Sequence, residues 1–145
     1  MYPTPAVTAF VDEQFIPVRI HVKQQPRMWH RFGIRWTPTV MVLSPDGSEV
    51  RRIEGYLPAD ELAGQLRLAL GYLAANKKDW PTAQQWFGQA AEARGTDAGP
   101  EGLYWLGVAR YSASHDAKDL AATSAAFTEQ YQDTSWAKRA SIWAG

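Results

Sequence analysis

No cysteine occurs among the 145 residues. Disulfides, thiolate metal sites and cysteine nucleophiles are therefore excluded together from this sequence. Histidine is scarce as well: His21, His30 and His115 are the full set, with no His-x-x-x-His or Glu-x-x-His spacing. Local pairs of that kind supply metal ligands, so no metal and no other cofactor is expected. A Gly-x-Ser-x-Gly elbow and a glycine-rich phosphate loop are also missing, and no catalytic residue is assigned. Excess charge of one sign is absent too, with 15 Lys+Arg against 15 Asp+Glu. A nucleic-acid partner wants a concentrated basic face. The nearest approach, Arg27, Arg31, Arg35, Arg51 and Arg52, reads as a solvated face of helix and strand. No apolar run approaches the roughly 20 residues needed to span a bilayer, so no membrane partner is expected. Met1 is followed by Tyr2-Pro3-Thr4-Pro5, unlike a signal peptide, and a cytoplasmic location is the expectation. Met1 is read either as the natural start or as a cut point.

What is present is rich in core-forming side chains. Hydrophobic residues make up 46%, including seven Trp, six Tyr and five Phe, enough for one ordinary core or two small ones packed together. Val7, Phe10, Val11 and Phe15 recur at helical spacing, with Thr4 as cap and Pro5 in the first turn. Ile16, Val18, Ile20 and Val22 alternate with polar residues, which predicts a strand over 16–22 with His21 on its opposite face. Gln25 to Phe32 reads as a short helix stopped by Gly33. Thr39 to Leu43 and Glu49 to Ile53 read as two arms of a hairpin around Pro45-Asp46-Gly47-Ser48. From Pro58 the period becomes helical, with Leu62, Leu66, Leu70 and Leu73 on one stripe.

Beyond Asn76-Lys77-Lys78 every pattern is helical. Asp79 caps one helix, with Pro81 just inside and Ala83, Phe87, Ala90 and Ala91 as its stripe. Residues 95–100 read as a loop, Leu103 to Tyr111 as a helix, and Ser114-His115-Asp116 as a break. Leu120, Ser124, Phe127 and Tyr131 mark the next helix. Thr134 or Ser135 caps a last one containing Trp136, Ala140 and Trp143. The dense aromatics of this half, Trp80 through Trp143, read first as core and second as the lining of a peptide groove. Leu70-Gly71, Ala83, Phe87 and Ala90 fit the spacing of a tetratricopeptide helix pair, and Leu106-Gly107 restarts it.

Four motifs occur in a telling order. They are Val7…Phe10…Phe15-Ile16-Pro17-Val18, then Arg31-Phe32-Gly33-Ile34-Arg35-Trp36-Thr37-Pro38-Thr39, then Pro45-Asp46-Gly47, then Glu54-Gly55-Tyr56-Leu57-Pro58. Together they resemble the thioredoxin superfamily from its first helix onward. The resemblance implies a cis bond between Thr37 and Pro38, in a loop that presents backbone groups to an extended peptide. Trp36, Thr37 and Pro38 would then line a peptide-binding groove, with Trp29 bracketing it. It also implies a central strand and a Cys-x-x-Cys, both of which this sequence lacks. The strands at 16–22 and 39–43 would then close up directly, or accept a strand from another copy and form a homo-oligomer, or belong to a longer natural protein. The expected architecture is α/β: a thioredoxin-like domain over 1–76, its sheet lacking the first strand, then a tetratricopeptide-like all-α segment over 77–145. Two functions from different classes follow. One is a redox-inactive module binding an extended peptide or protein, or acting as a scaffold. The other is a truncated thiol-disulfide oxidoreductase whose Cys-x-x-Cys lies upstream of Met1.

Overall fold

The local chemistry of capping sets most of the helix starts. The computed structural model describes residues 4–145; Met1, Tyr2 and Pro3, on which the reading of the chain start rests, lie outside the described residues. Helix α1 (Pro5–Gln14) begins where the Thr4 hydroxyl accepts from the Val7 N–H at 3.3 Å. Helix α2 (Pro26–Arg31) is a short segment, and Gly33 follows it with φ of +58°. Strands β1 (Thr39–Leu43) and β2 (Glu49–Glu54) form an antiparallel hairpin. Its turn is tied by the Asp46 carboxylate, which accepts from the Ser48 N–H at 2.9 Å and from the Ser44 and Ser48 hydroxyls. Those bonds, the Ser44 hydroxyl foremost, hold the Asp46 carboxyl down at about 2.

Five helices follow. They are α3 (Ala59–Asn76), α4 (Trp80–Ala91), α5 (Ala98–Ser114), α6 (Ala117–Gln130) and α7 (Ser135–Ala140), ending in a 3-10 turn at Ser141–Trp143. Asp79 caps α4 through the Thr82 N–H at 3.3 Å, and Thr134 caps α7 through the Ala137 N–H at 3.1 Å.

Helix α3 belongs to two cores at once. Its Leu62, Leu66 and Ala69 pack against Val7 and Val11 of α1 and against Val42 and Ile53 of the hairpin. Its Leu68 and Ala74 meet Ala83, Phe87 and Ala90 of α4 and Leu106 of α5. A third cluster joins Leu103, Phe127, Tyr131 and Ala140 further along. Burying one such Leu or Phe contributes roughly 1.5–3 kcal/mol, so the shared helix couples the two halves. Close approach depends on small residues. A Cβ on Gly71 would lie 2.5 Å from the Phe87 ring, and one on Gly102 would lie 2.7 Å from the Ala91 nitrogen.

Two expectations are corrected. Residues 16–22 do not form a strand: the segment after α1 carries no ladder, and Ile16 and Val18 are 93% and 78% exposed. Alternation marks a strand only when another strand supplies hydrogen bonds. The sheet among the described residues has two strands, β1 and β2, and neither accepts this segment. His21 accordingly lies on an irregular segment and not on a strand face. The predicted loop at 95–100 is instead cut short by α5, which starts at Ala98 and buries Ala98, Gly99, Pro100 and Glu101. Gly99 lies against the Tyr131 ring and Gly102 against α4, so glycine here serves packing.

Candidate functional site

The segment between α2 and β1 carries the predicted peptide-contact residues, and the fold pins it at three points. The Trp29 carbonyl accepts from the Ile34 N–H at 3.1 Å. The Trp36 carbonyl accepts from the Thr39 hydroxyl at 2.7 Å. The Pro38 carbonyl accepts from the Gly55 N–H at 2.7 Å, tying the loop to the end of β2. Gly55 has φ of +93°, a left-handed conformation that L side chains rarely adopt. Arg35 adds an ion pair to Glu54 at 3.1 Å.

Trp36, Thr37 and Pro38 thus sit together on one exposed loop, and the Thr37–Pro38 bond is cis. Trp36 is 67% exposed. Trp29 stays half-buried on α2, so the solvent-facing aromatic of the loop is Trp36. Sequence reasoning passed over Tyr56, which is 72% exposed next to Gly55. The signal was within reach, since Glu54-Gly55-Tyr56-Leu57-Pro58 was one of the informative motifs.

A second feature was not foreseen. A cavity of about 460 Å³ opens between the end of α2 and the outer part of the hairpin. Met41 and Leu43 of β1 and Phe32 give it apolar walls, while His30, Arg31, Glu49 and Arg52 give it charge. Arg52 is committed: it donates to Glu49 at 2.8 Å and to the Phe32 carbonyl at 2.6 Å. Its guanidinium keeps the Glu49 carboxyl below the ordinary carboxylate range. Arg31 has no carboxylate partner among the described residues. No group of three or more His, Asp or Glu side chains that would hold a metal ion occurs among the described residues. No described helix is long and apolar enough to cross a membrane. The aromatics from α4 to the closing 3-10 turn mostly pack on one another; Tyr104 and Trp143, for example, stack with ring centroids 4.7 Å apart.

A family model described as a thioredoxin-like domain matches residues 2–70. Residues 2–70 are therefore similar to a thioredoxin-like domain, and a helical segment follows them. Searches of curated proteins and of solved structures found no match to the chain.

Proposed function

We propose that the chain acts as a redox-inactive thioredoxin-like module that holds an extended peptide or protein segment against Trp36, Thr37 and Pro38, with Trp29 beside them. The supporting observation is the 67% exposure of Trp36 on a loop fixed by hydrogen bonds at Trp29, Trp36 and Pro38. An indole in water gains most by burial against a partner, and a pinned loop loses little entropy on binding. Within this reading residues 77–145 are a tetratricopeptide-like support for domain 1–76, and the setting is cytoplasmic. The fit of Gly71 beneath Phe87 supports the helical part. An array of extended peptides probed with the whole chain tests the proposal. Bound peptides that are released by Trp36→Ala are the expected result. No bound peptide, or equal binding by the variant, overturns it.

A second reading is a thiol-disulfide oxidoreductase whose Cys-x-x-Cys lies upstream of Met1. It is favoured by the room beside β1, whose outer edge pairs with no described strand. Genomic DNA upstream of Met1 decides it. An in-frame stretch encoding an apolar strand and Cys-x-x-Cys supports it, and an immediate in-frame stop codon ends it.

A further inference from the structure

The helical segment holds a second cavity, which shares no lining residue with the proline loop. Helices α4 and α6 each pack along α5 and leave a gap between them. Close approaches at glycine set the alignment. Gly88 lies against Leu106 and Gly102 against Ala91, while Gly107 lies against Thr123 and Gly99 against Tyr131. Both α4 and α6 therefore run antiparallel to α5 and parallel to each other. The gap over α5 is a groove of about 360 Å³. Leu103 and Leu106 form its floor, and Gly88, Ala91 and Ala126 keep its walls low.

An arginine stands at each end of this groove. Arg110 lies one turn beyond Leu106 on α5 and is exposed. Arg94, also exposed, follows α4 at the Gly99 end, where a Cβ on Gly99 would lie 2.8 Å from the Ala93 carbonyl oxygen. Neither arginine has a carboxylate partner among the described residues, whereas Arg35, Arg51 and Arg52 all do. Glu92 shares the Arg94 end and offsets part of its charge, so Arg110 is the stronger cation position. Gly99 and Arg110 are eleven positions apart, a rise of about 16 Å over three turns. Any second helix brings the same face round at that interval, with two further positions of that face in between.

We infer that the groove between α4 and α6 takes an amphipathic helix of a partner protein, its apolar stripe on Leu103 and Leu106 and its terminal carboxylates facing Arg94 and Arg110. A helix is favoured over an extended segment because the walls are themselves helices. Their backbone groups are bonded within α4 and α6 and offer no ladder, whereas a helix satisfies its own backbone. Low walls leave room for the large side chains of the incoming stripe, and the unpaired cations select an acidic one. The inference goes beyond the proline-loop reading and does not rest on it.

The probe is a labelled peptide of about sixteen residues, long enough to hold a helix. It carries two Glu eleven positions apart, Leu at the two same-face positions between them, and Ala and Gln elsewhere. Its counterpart has Lys in place of Glu. The Glu peptide should bind the whole chain at least roughly tenfold tighter than the Lys peptide, and added salt should weaken it. Arg110→Glu, at an exposed position, should weaken the Glu peptide roughly tenfold and strengthen the Lys peptide. Gly88→Leu fills the groove and should also cost at least roughly tenfold. Arg110→Glu carries the same test should that variant not fold. Trp36→Ala should leave the affinity unchanged. Absence of binding, equal binding of the two peptides, or an affinity unchanged in Arg110→Glu overturns the inference. Binding lost in Trp36→Ala but kept in Gly88→Leu overturns it too and leaves the proline-loop reading standing. So does a dimer in sedimentation that Gly88→Leu dissolves, since a second copy then fills the groove.

Discussion

Arg51 on β2 and Glu101 on α5, 50 positions apart in sequence, meet as a two-pronged ion pair with N–O distances of 2.8 and 2.7 Å. The pair bridges the hairpin and the helical segment. It is well shielded, with the two side chains 20% and 11% exposed. Tyr72 of α3 donates to the same carboxylate at 2.6 Å, and Gln65 accepts from the Arg51 Nε at 2.7 Å. Burial alone would lower the Arg51 pKa, but the Glu101 carboxylate outweighs it and the net shift is upward.

Glu101→Gln leaves the Arg51 guanidinium half-buried without its counter-charge. The expected loss is about 3 kcal/mol, at the low end for breaking a shielded pair because both side chains retain some solvent. Urea unfolding of the whole chain measures it. Replacing both partners together, Arg51→Met with Glu101→Leu, should recover most of that loss, since no charge is then stranded. A double variant as unstable as Glu101→Gln would show that the pair contributes more than mutual compensation.

Alkaline pH should act on the same cluster through Tyr72. Burial foremost, then the bond to Glu101, holds its phenol well above the ordinary tyrosine range. An unfolded tyrosine titrates near 10, so above about pH 10 the unfolded chain releases a proton that the folded chain still holds. The stabilisation is complete below that pH and is lost as pH rises toward the folded value. Tyr131, also raised by burial, adds the same sign. Stability measured from pH 9 to 11 should fall less steeply in Tyr72→Phe than in the unaltered chain. Parallel curves would remove Tyr72 as a source of the fall.

Two helix glycines should respond to alanine in opposite directions. A Cβ on Gly71 meets Phe87 Cδ1 and Cε1 at 2.5 Å, and Phe87 is 1% exposed, so the ring has nowhere to go. Overpacking of this kind costs about 1–3 kcal/mol, which exceeds the helix-propensity gain of about 1 kcal/mol. A Cβ on Gly88 instead finds the Leu106 methyls at 4.0 Å, an ordinary contact. Gly88→Ala should therefore stabilise by about 0.5–1 kcal/mol. Thermal melts of the two variants in parallel give the signs.

The same contrast shows which parts of the fold were readable in the residues. Thr4, Asp79 and Pro45-Asp46-Gly47 act within a few positions of themselves, so their caps and turn were legible. Leu62, Leu66 and Leu73 of the α3 stripe were legible too, because a helix carries its own period, whereas Leu68, buried toward α4, lay outside the stripe. Residues 16–22 misled because a strand is not a local object: Ile16 and Val18 alternate correctly, but no described strand offers them a ladder. Gly99 reads as loop because its reason, the approach of Tyr131, lies 32 positions away. No local pattern marks the pairing of Arg51 with Glu101. At the site, the motif order pointed to Trp36, Thr37 and Pro38. Tyr56 and the cavity beside Met41 depend on how β2 and α2 are placed, which spacing does not encode.

Trp36 and Trp29 offer a last separation, between what holds the fold and what meets a partner. Trp36 is mostly in water and touches the structure through its backbone carbonyl, which truncation of the side chain leaves in place. Trp36→Ala should therefore change stability by no more than about 0.5 kcal/mol. Trp29 is half-buried on α2, so Trp29→Ala removes packed surface and should cost about 1–2 kcal/mol. If the loop is a contact surface, peptide binding reverses that order: Trp36→Ala loses more affinity than Trp29→Ala. Chemical unfolding and peptide titration on the same two variants provide both rankings. Identical rankings would mean that binding follows stability and that Trp36 makes no contact of its own.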